Sequence, residues 1–339
     1  MHEPGQNGRV WEAPSCRPSG FPDKNEFLLP FCVESGSLPC FCGLGFGTGR
    51  GARTRVAFLY NCSLCKSRGP ACRKGARLAS TIVVESAKTK PGIEIASLTD
   101  VGLQRANNED SYLYWEPESD ADFRRKGRLA IVADGMGGYE GGQEASRLAV
   151  ETVRSIYDNA FDGDPQESLV AAIAAAHQNI QRYAIEHPEL SGMGTTCTAL
   201  AIVGPRLYFA HVGDSRLYLI RGDKVSRLTR DHSYVGRLVE SGIVRSEDAE
   251  SHPQRHILTA ALGSGRDVEP DVPQQPGSVE IGDTLILCTD GLWSLVGELE
   301  LAQVAQSNSP AACCVKLVNL ALERGGADNI TLLVLRISP

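Results

Sequence analysis

An unalternated apolar run, Leu129–Ala133, ends abruptly in Asp134-Gly135, and four more glycines follow by Gly142. A strand with one face in water alternates polar and apolar residues; a run without alternation predicts a strand buried on both faces. A carboxylate at the end of such a strand is costly to bury unless something pairs with it. Taken alone, Asp-Gly reads as a tight turn. The same device recurs, however. Leu207–Val212 runs into Gly213-Asp214, Leu285–Thr289 runs into Asp290-Gly291, and Asp328-Asn329 stands just before Ile330–Leu335. Four aspartates at the ends of four predicted core strands point to one carboxylate cluster at an edge of the sheets. Like charges held that close repel, so cations must hold them together.

Charge divides the chain unevenly. Residues 1–90 carry 13 Lys+Arg against 6 Asp+Glu, which leaves 21 against 35 for residues 91–339. The acidic body argues against nucleic-acid binding. Residues 1–90 also hold seven of the 11 cysteines: Cys16, Cys32, Cys40, Cys42, Cys62, Cys65 and Cys72. They show no sustained helical or strand period. Cys40-x-Cys42, Cys62-x2-Cys65 and Cys72 give a weak zinc pattern, with no second CxxC or His pair at knuckle spacing. No apolar targeting core follows Met1, and no run reaches membrane-spanning length. The expectation is a disordered or spurious extension, translated from an upstream start. No Met precedes Met136 except Met1, so a shorter product would start at a non-Met codon such as Val83 or Val84.

Order begins at Gly92. Ile93–Leu98 is a strand candidate, followed by a polar loop into a strand over Thr99–Tyr114. Ala145, Leu148, Ala149, Thr152, Val153 and Ile156 share one helical face, which predicts a helix over about 142–157. A second follows over about 166–187, ended by Pro188 and Gly192. Strands are predicted over 195–203, 206–212, 216–221 and 224–229, with a hairpin at Gly222-Asp223. Residues 231–266 break the rhythm with a short helix at about 233–241 and an acidic patch; they read as an excursion beside the core. Strands at 268–272 and 284–288, helices at about 298–306 and 309–324, and a last strand at about 329–337 complete the pattern. Sheets covered by helices on their outer faces follow from this order. The remaining cysteines, Cys197, Cys288, Cys313 and Cys314, sit in apolar stretches as small core residues, and a reducing cytoplasm is the default.

The candidate ligands are carboxylates: Glu109, Asp110, Asp134, Asp214, Asp290 and Asp328. None of these candidates is a His or a Cys, so zinc is disfavoured and an all-oxygen site favours Mg²⁺ or Mn²⁺. Two such ions can activate a water toward phosphorus. Arg105 is the candidate for gripping a phosphate. Neither a G-x-x-x-x-G-K-[ST] loop nor a G-x-S-x-G elbow is present. The residues therefore allow hydrolytic phosphoryl transfer without a covalent intermediate.

Six motifs then stand in order between residues 92 and 337. They are Arg105-x3-Glu109-Asp110, Val132-Ala133-Asp134-Gly135-Met136-Gly137-Gly138, Gly194-Thr195-Thr196, Val212-Gly213-Asp214-Ser215-Arg216, Leu287-Cys288-Thr289-Asp290-Gly291 and Asp328-Asn329-Ile330-Thr331. The sequence resembles the metal-dependent Ser/Thr protein phosphatases of type 2C, the PPM family, in their compact bacterial form. The resemblance implies an α+β fold, a four-layer α-β-β-α sandwich of two antiparallel sheets packed face to face with helix pairs outside. It implies a catalytic domain over 91–339 with a flap over 231–266. It also implies two tightly bound Mn²⁺ or Mg²⁺ ions, with direct attack on phosphoserine or phosphothreonine by a water between them. Asp134 would bridge the ions and Gly135 would lend its carbonyl to one. Asp290 and Asp328 would complete the other, Glu109 would act through water, and Asp110 would support that shell. Asp214, with Asp290, matches the holder of a third, weaker ion.

The implied partners are phosphorylated proteins, opposite a Ser/Thr kinase, with the chain a monomer that binds neither nucleic acid nor membrane. Animal members carry a histidine after the Asp-Gly pair; here Met136 stands there, so that position supplies no general acid. Hydrolysis of a small phosphorylated metabolite, or non-catalytic phosphoprotein binding, are the other readings the residues leave open.

Overall fold

Leu129–Ala133 and Leu285–Cys288 are buried along their whole length because each strand has a packed layer on either side. The computed structural model describes residues 30–33, 41–46, 53–60, 82–87, 89–137, 141–161, 163–249, 252–265 and 267–339. The chain begins with β1 (Pro30–Val33), β2 (Phe41–Phe46), β3 (Arg53–Tyr60), β4 (Ile82–Ala87), β5 (Ile93–Asp100) and β6 (Asp110–Trp115). Helix α1 (Asp120–Lys126), β7 (Arg128–Met136), α2 (Gly141–Asn159) and α3 (Pro165–Glu186) follow. Next come β8 (Gly194–Thr195), β9 (Cys197–Val203), β10 (Arg206–Val212), β11 (Arg216–Arg221) and β12 (Lys224–Arg227). Helices α4 (Tyr234–Glu240) and α5 (Ser246–Ala249) precede β13 (Gly277–Ser278) and β14 (Thr284–Cys288). The chain closes with α6 (Asp290–Trp293), α7 (Glu298–Ser307), α8 (Pro310–Glu323) and β15 (Ile330–Ile337).

Two antiparallel sheets result. One has the order β1-β2-β3-β4-β5-β15-β14-β11-β12 and the other β13-β10-β9-β7-β6, with β8 paired to β7. Strand parity sorts their side chains into three apolar layers. Leu285, Leu287, Leu333 and Leu335 of the first sheet meet Ala130, Val132, Leu200 and Ile202 of the second between the sheets. The residues between them along each strand face outward. Ile286, Cys288, Leu332 and Val334 pack under Leu301, Ala305, Leu317 and Val318 of α7 and α8. Leu129, Ile131 and Ala133 pack under Ala149, Val153, Leu169 and Ile173 of α2 and α3. Each buried Leu or Ile is worth roughly 1.5–3 kcal/mol, so three such layers make a rigid platform. The architecture is the expected α+β sandwich.

Differences from the sequence expectation are local. The zinc expectation falls on Cys42 in β2 and on Cys40, Cys62, Cys65 and Cys72, which lie outside the described residues. Where residues 1–90 were expected to carry no sustained period, β1 to β4 form successive antiparallel pairs leading to β5. Antiparallel pairing is satisfied by backbone groups, and stretches as short as Arg53–Tyr60 need no long pattern to make it. Val84 of β4 is 1% exposed and packs with Ala96, Leu98 and the α8 side chains. The expected boundary at residue 91 therefore falls between two paired strands. The strand expected at 268–272 is reduced to one bridge, Asp271 with His211, because Pro270 and Pro273 remove ladder donors on either side. Helix α1 escaped the period analysis, being only two turns long. Its signals were local: the Ser119 side chain caps the Asp122 amide, with acids in the first turn and Arg124, Arg125 and Lys126 in the last.

The flap holds two short helices, α4 and α5, and exposes Tyr234, Ile243 and Ile257. Only Val235 of α4 is buried. Little apolar contact opposes local opening. Amide exchange over the described part of 231–266 is expected to be faster than in β9 and β10 by orders of magnitude. Exchange as slow as in those strands, followed by mass spectrometry, would contradict this. Among the described residues, no helix is long and apolar enough to cross a membrane.

Candidate metal centre

Topology gathers the aspartates at one edge. Asp110 opens β6 directly opposite Asp134 in β7. Asp290 heads α6 at the exit of β14, Asp328 stands before the neighbouring β15, and Asp214 follows β10. Their electrostatics show that they converge. Burial pushes the Asp134 carboxyl well above the usual range, and the charges of Asp110, Asp290, Asp214 and Asp328 push it further. Asp214 is raised by burial and by Asp290 and Asp231, against Arg216. Asp110 is pushed up to about 7, by burial first, with Asp290 and Asp328 adding and hydrogen bonds from Thr331 and Thr289 opposing. Burial also raises Glu109, partly offset by Arg105.

Backbone clamps hold these groups. The Asp134 amide donates to Thr196 Oγ1 at 2.9 Å, and Thr195 Oγ1 donates to the Asp134 carbonyl at 2.8 Å. Thr196 and Ser215 share a 2.7 Å hydroxyl bond, which links the Asp134 turn to the Asp214 turn. Gly213, at φ +111°, passes so close that a Cβ would lie 2.5 Å from Thr196. Trp293 Nε1 donates to the Asp214 carbonyl at 2.9 Å, and the Arg216 guanidinium stacks 3.6 Å from the Trp293 ring centre. Arg216 also grips Asp231 with two hydrogen bonds.

Three residues were not singled out from sequence. Asn329 accepts from the Glu109 amide at 2.8 Å and donates to the carbonyls of Val101 and Asn107, so it seats the Arg105–Glu109 loop. Its signal was only its place beside Asp328. His232 clamps Gly213 reciprocally: its amide donates to the Gly213 carbonyl at 2.7 Å and its Nδ1 accepts from the Gly213 amide at 3.2 Å. His256, in the flap, brings Nδ1 to 3.4 Å from Asp290 Oδ2. His211, by contrast, is buried, bonded to Thr198 and to the Gly213 and Arg230 carbonyls, and pushed down to about 4 by burial. It stays neutral and supplies no acid.

Arg105 and Asp328 meet directly, Nη2 to Oδ2 at 2.7 Å. Asp110 Oδ1 and Asp290 Oδ1 are buried without a partner. Among the described residues, no three His, Cys, Asp or Glu side chains close on a single point. Orphaned, desolvated oxygens with no sulfur donor fit a hard divalent cation, Mg²⁺ or Mn²⁺. Residues 138–140 of the glycine-rich turn lie outside the described residues.

The pH dependence of the metal-free fold follows. The folded value of Asp110, about 7, lies above its ordinary 3.8, so the folded chain holds the extra proton. Its contribution is most favourable below pH 3.8 and is lost as pH rises through about 7. In EDTA, each such group is expected to cost roughly 1.4 kcal/mol per pH unit across that window. Asp110→Asn should remove its share of the slope in urea unfolding at pH 5 and 7. An unchanged slope would place the proton elsewhere.

The profile described as Protein phosphatase 2C matches residues 102–312. The Serine/threonine protein phosphatase PstP of Mycobacterium tuberculosis is 37% identical over 242 residues, 71% of this chain. This chain spans only 44% of that relative's length. Protein phosphatase PhpP of Streptococcus pneumoniae is 37% identical over 246 residues, 70% of this chain and 95% of its own. Among solved structures, the catalytic domain of PstP in complex with two manganese ions superposes with a TM-score of 0.63 at 34% identity, covering 73% of this chain and 99% of that one. Stp1 from Staphylococcus aureus superposes at 0.67 with 29% identity, covering 74% and 98%. The shared fold and a sequence match over most of residues 91–339 lead to one assignment: the chain belongs to the protein phosphatase 2C family.

Proposed function

We propose that the chain is a metal-dependent protein serine/threonine phosphatase that hydrolyses phosphoserine and phosphothreonine in proteins, opposing a Ser/Thr kinase. The observation that carries this reading is the convergence of Asp110, Asp134, Asp214, Asp290 and Asp328, with Asp110 Oδ1 and Asp290 Oδ1 left without partners. Asp134, Gly135, Glu109, Asp290 and Asp328 would hold two Mn²⁺ or Mg²⁺ ions, with Asp110 supporting them and Asp214 serving a third. Such ions, when bound, acidify a water and neutralise phosphate charge.

The chain's own residues do the rest. Thr195, Thr196 and Ser215 fix the Asp134 and Asp214 backbones. Asn329 sets the loop that carries Arg105 and Glu109. Arg105 is half-exposed and has a planar fork suited to two phosphate oxygens. To take them it must turn away from Asp328, so the Asp328 oxygen and the guanidinium become available together. Arg105 and Asp328 are the exposed members of this edge, so a phosphorylated side chain of a protein would approach from their side.

The test compares a phosphothreonine peptide with a panel of sugar phosphates, each with Mn²⁺ and with EDTA. Metal-dependent release of phosphate from the peptide, at much higher kcat/KM than from any sugar phosphate, is expected. Preference for a sugar phosphate would replace this reading with a metabolite hydrolase.

A further inference from the structure

Asp290 presents its two oxygens to different places. Oδ1 is buried and faces no donor, and the Asp290 carboxylate is one of those whose charges act on Asp134. Oδ2 faces the flap, where His256 Nδ1 stands 3.4 Å away. That separation is longer than the ordinary N–H···O bond of about 2.7–3.2 Å. It matches two neighbouring ligands of one ion, each about 2.1 Å from it. His256 is half-exposed, and the segment carrying it is held close by backbone bonds. The Tyr234 amide donates to the Ile257 carbonyl at 2.7 Å, and the Thr259 amide donates to the His232 carbonyl at 2.8 Å. His232 in turn clamps Gly213, next to Asp214. One side chain of the flap is thus delivered to one oxygen of a carboxylate that is part of the site already described.

Resting on the metal-dependent reading above, we infer that His256 Nδ1 and Asp290 Oδ2 form the flap side of a cation position, and that the nitrogen makes this position select Mn²⁺ over Mg²⁺. Mg²⁺ demands oxygen ligands and sheds water reluctantly, whereas imidazole suits the first-row transition ions. The weak outer ion expected at Asp214 and Asp290 therefore gains a donor that discriminates between metals. Its occupancy is also tied to the flap, because His256 reaches Asp290 only while residues 252–259 stay docked.

The full chain is loaded with Mn²⁺ alone and examined by pulsed electron paramagnetic resonance for nitrogen hyperfine coupling. Mn²⁺ and Mg²⁺ are titrated separately by calorimetry. The same measurements are made on His256→Ala and on His256→Asn, which keeps a polar contact to Asp290 without an imidazole nitrogen. Expected is a nitrogen coupling in the wild type that both variants lose. With it, Mn²⁺ affinity at the weakest site falls roughly 10-fold or more, as for losses around a metal site, while Mg²⁺ affinity holds. Equal loss of Mn²⁺ and Mg²⁺ affinity would assign His256 to flap packing and overturn the inference. A wild type that hydrolyses the phosphothreonine peptide yet shows no nitrogen coupling would overturn it too, leaving the phosphatase reading intact. A chain that binds no Mn²⁺ would overturn both.

Discussion

Asp290→Ala is expected to lower phosphothreonine-peptide turnover in saturating Mn²⁺ by roughly 10²–10³-fold or more, the scale set by losing one preorganised electrostatic group. Asp134→Ala should do the same or worse, since four other carboxylates act on it. Stability should move the other way in the metal-free chain. Asp290 Oδ1 is a buried acceptor without a donor, and the Asp290 charge raises Asp110, Asp134 and Asp214. Removing it relieves repulsion, so the urea midpoint in EDTA should hold or rise while the stabilisation given by added Mn²⁺ shrinks. Near wild-type turnover of Asp290→Ala would mean that the aspartate edge is not the active site.

Gly135→Ala should damage fold and site together. A Cβ at Gly135 would lie 2.1 Å from the Gly142 carbonyl oxygen and 2.4 Å from that of Glu109. Both are backbone atoms, so α2 or the Glu109 strand must move. Overpacking of this kind costs about 1–3 kcal/mol, occasionally more, and the upper end applies where backbone rather than a side chain must yield. The shift would separate Glu109 and Asp110 from Asp134, so Mn²⁺ affinity should fall as well. Urea unfolding in EDTA and Mn²⁺ titration read the two effects separately. A variant with wild-type stability would show that the β7 turn can relax away from α2.

Much of the fold was legible because its information is local. Helices α2, α3, α7 and α8 follow single apolar stripes, and their observed ends lie close to the expected ones. The runs of β7, β14 and β15 declared strands buried on both faces, and the sandwich supplies both layers. The stretch at 268–272 misled because its apolar residues alternate with prolines that cannot join a ladder. Strands β1 to β4 were missed because short antiparallel pairs leave no period long enough to read.

For the site, the sequence by itself determined the ligand chemistry. Aspartates at the ends of buried strands must come together at a sheet edge, and carboxylates brought together require cations. It did not determine which groups meet them, because those contacts join residues that no local period relates. Arg105 and Asp328 are 223 positions apart, and the Asn329 side chain reaches back across 222 positions to the Asn107 carbonyl. Folding alone set Arg105 against Asp328 rather than free for phosphate, and made His211 a buried neutral ring. The flap has no regular pattern to fix its path, so only its docking through Tyr234 and Thr259 carried His256 to Asp290. Local patterning decides which strands and helices form, whereas the burial of their shared faces decides which distant side chains end up in reach of one another.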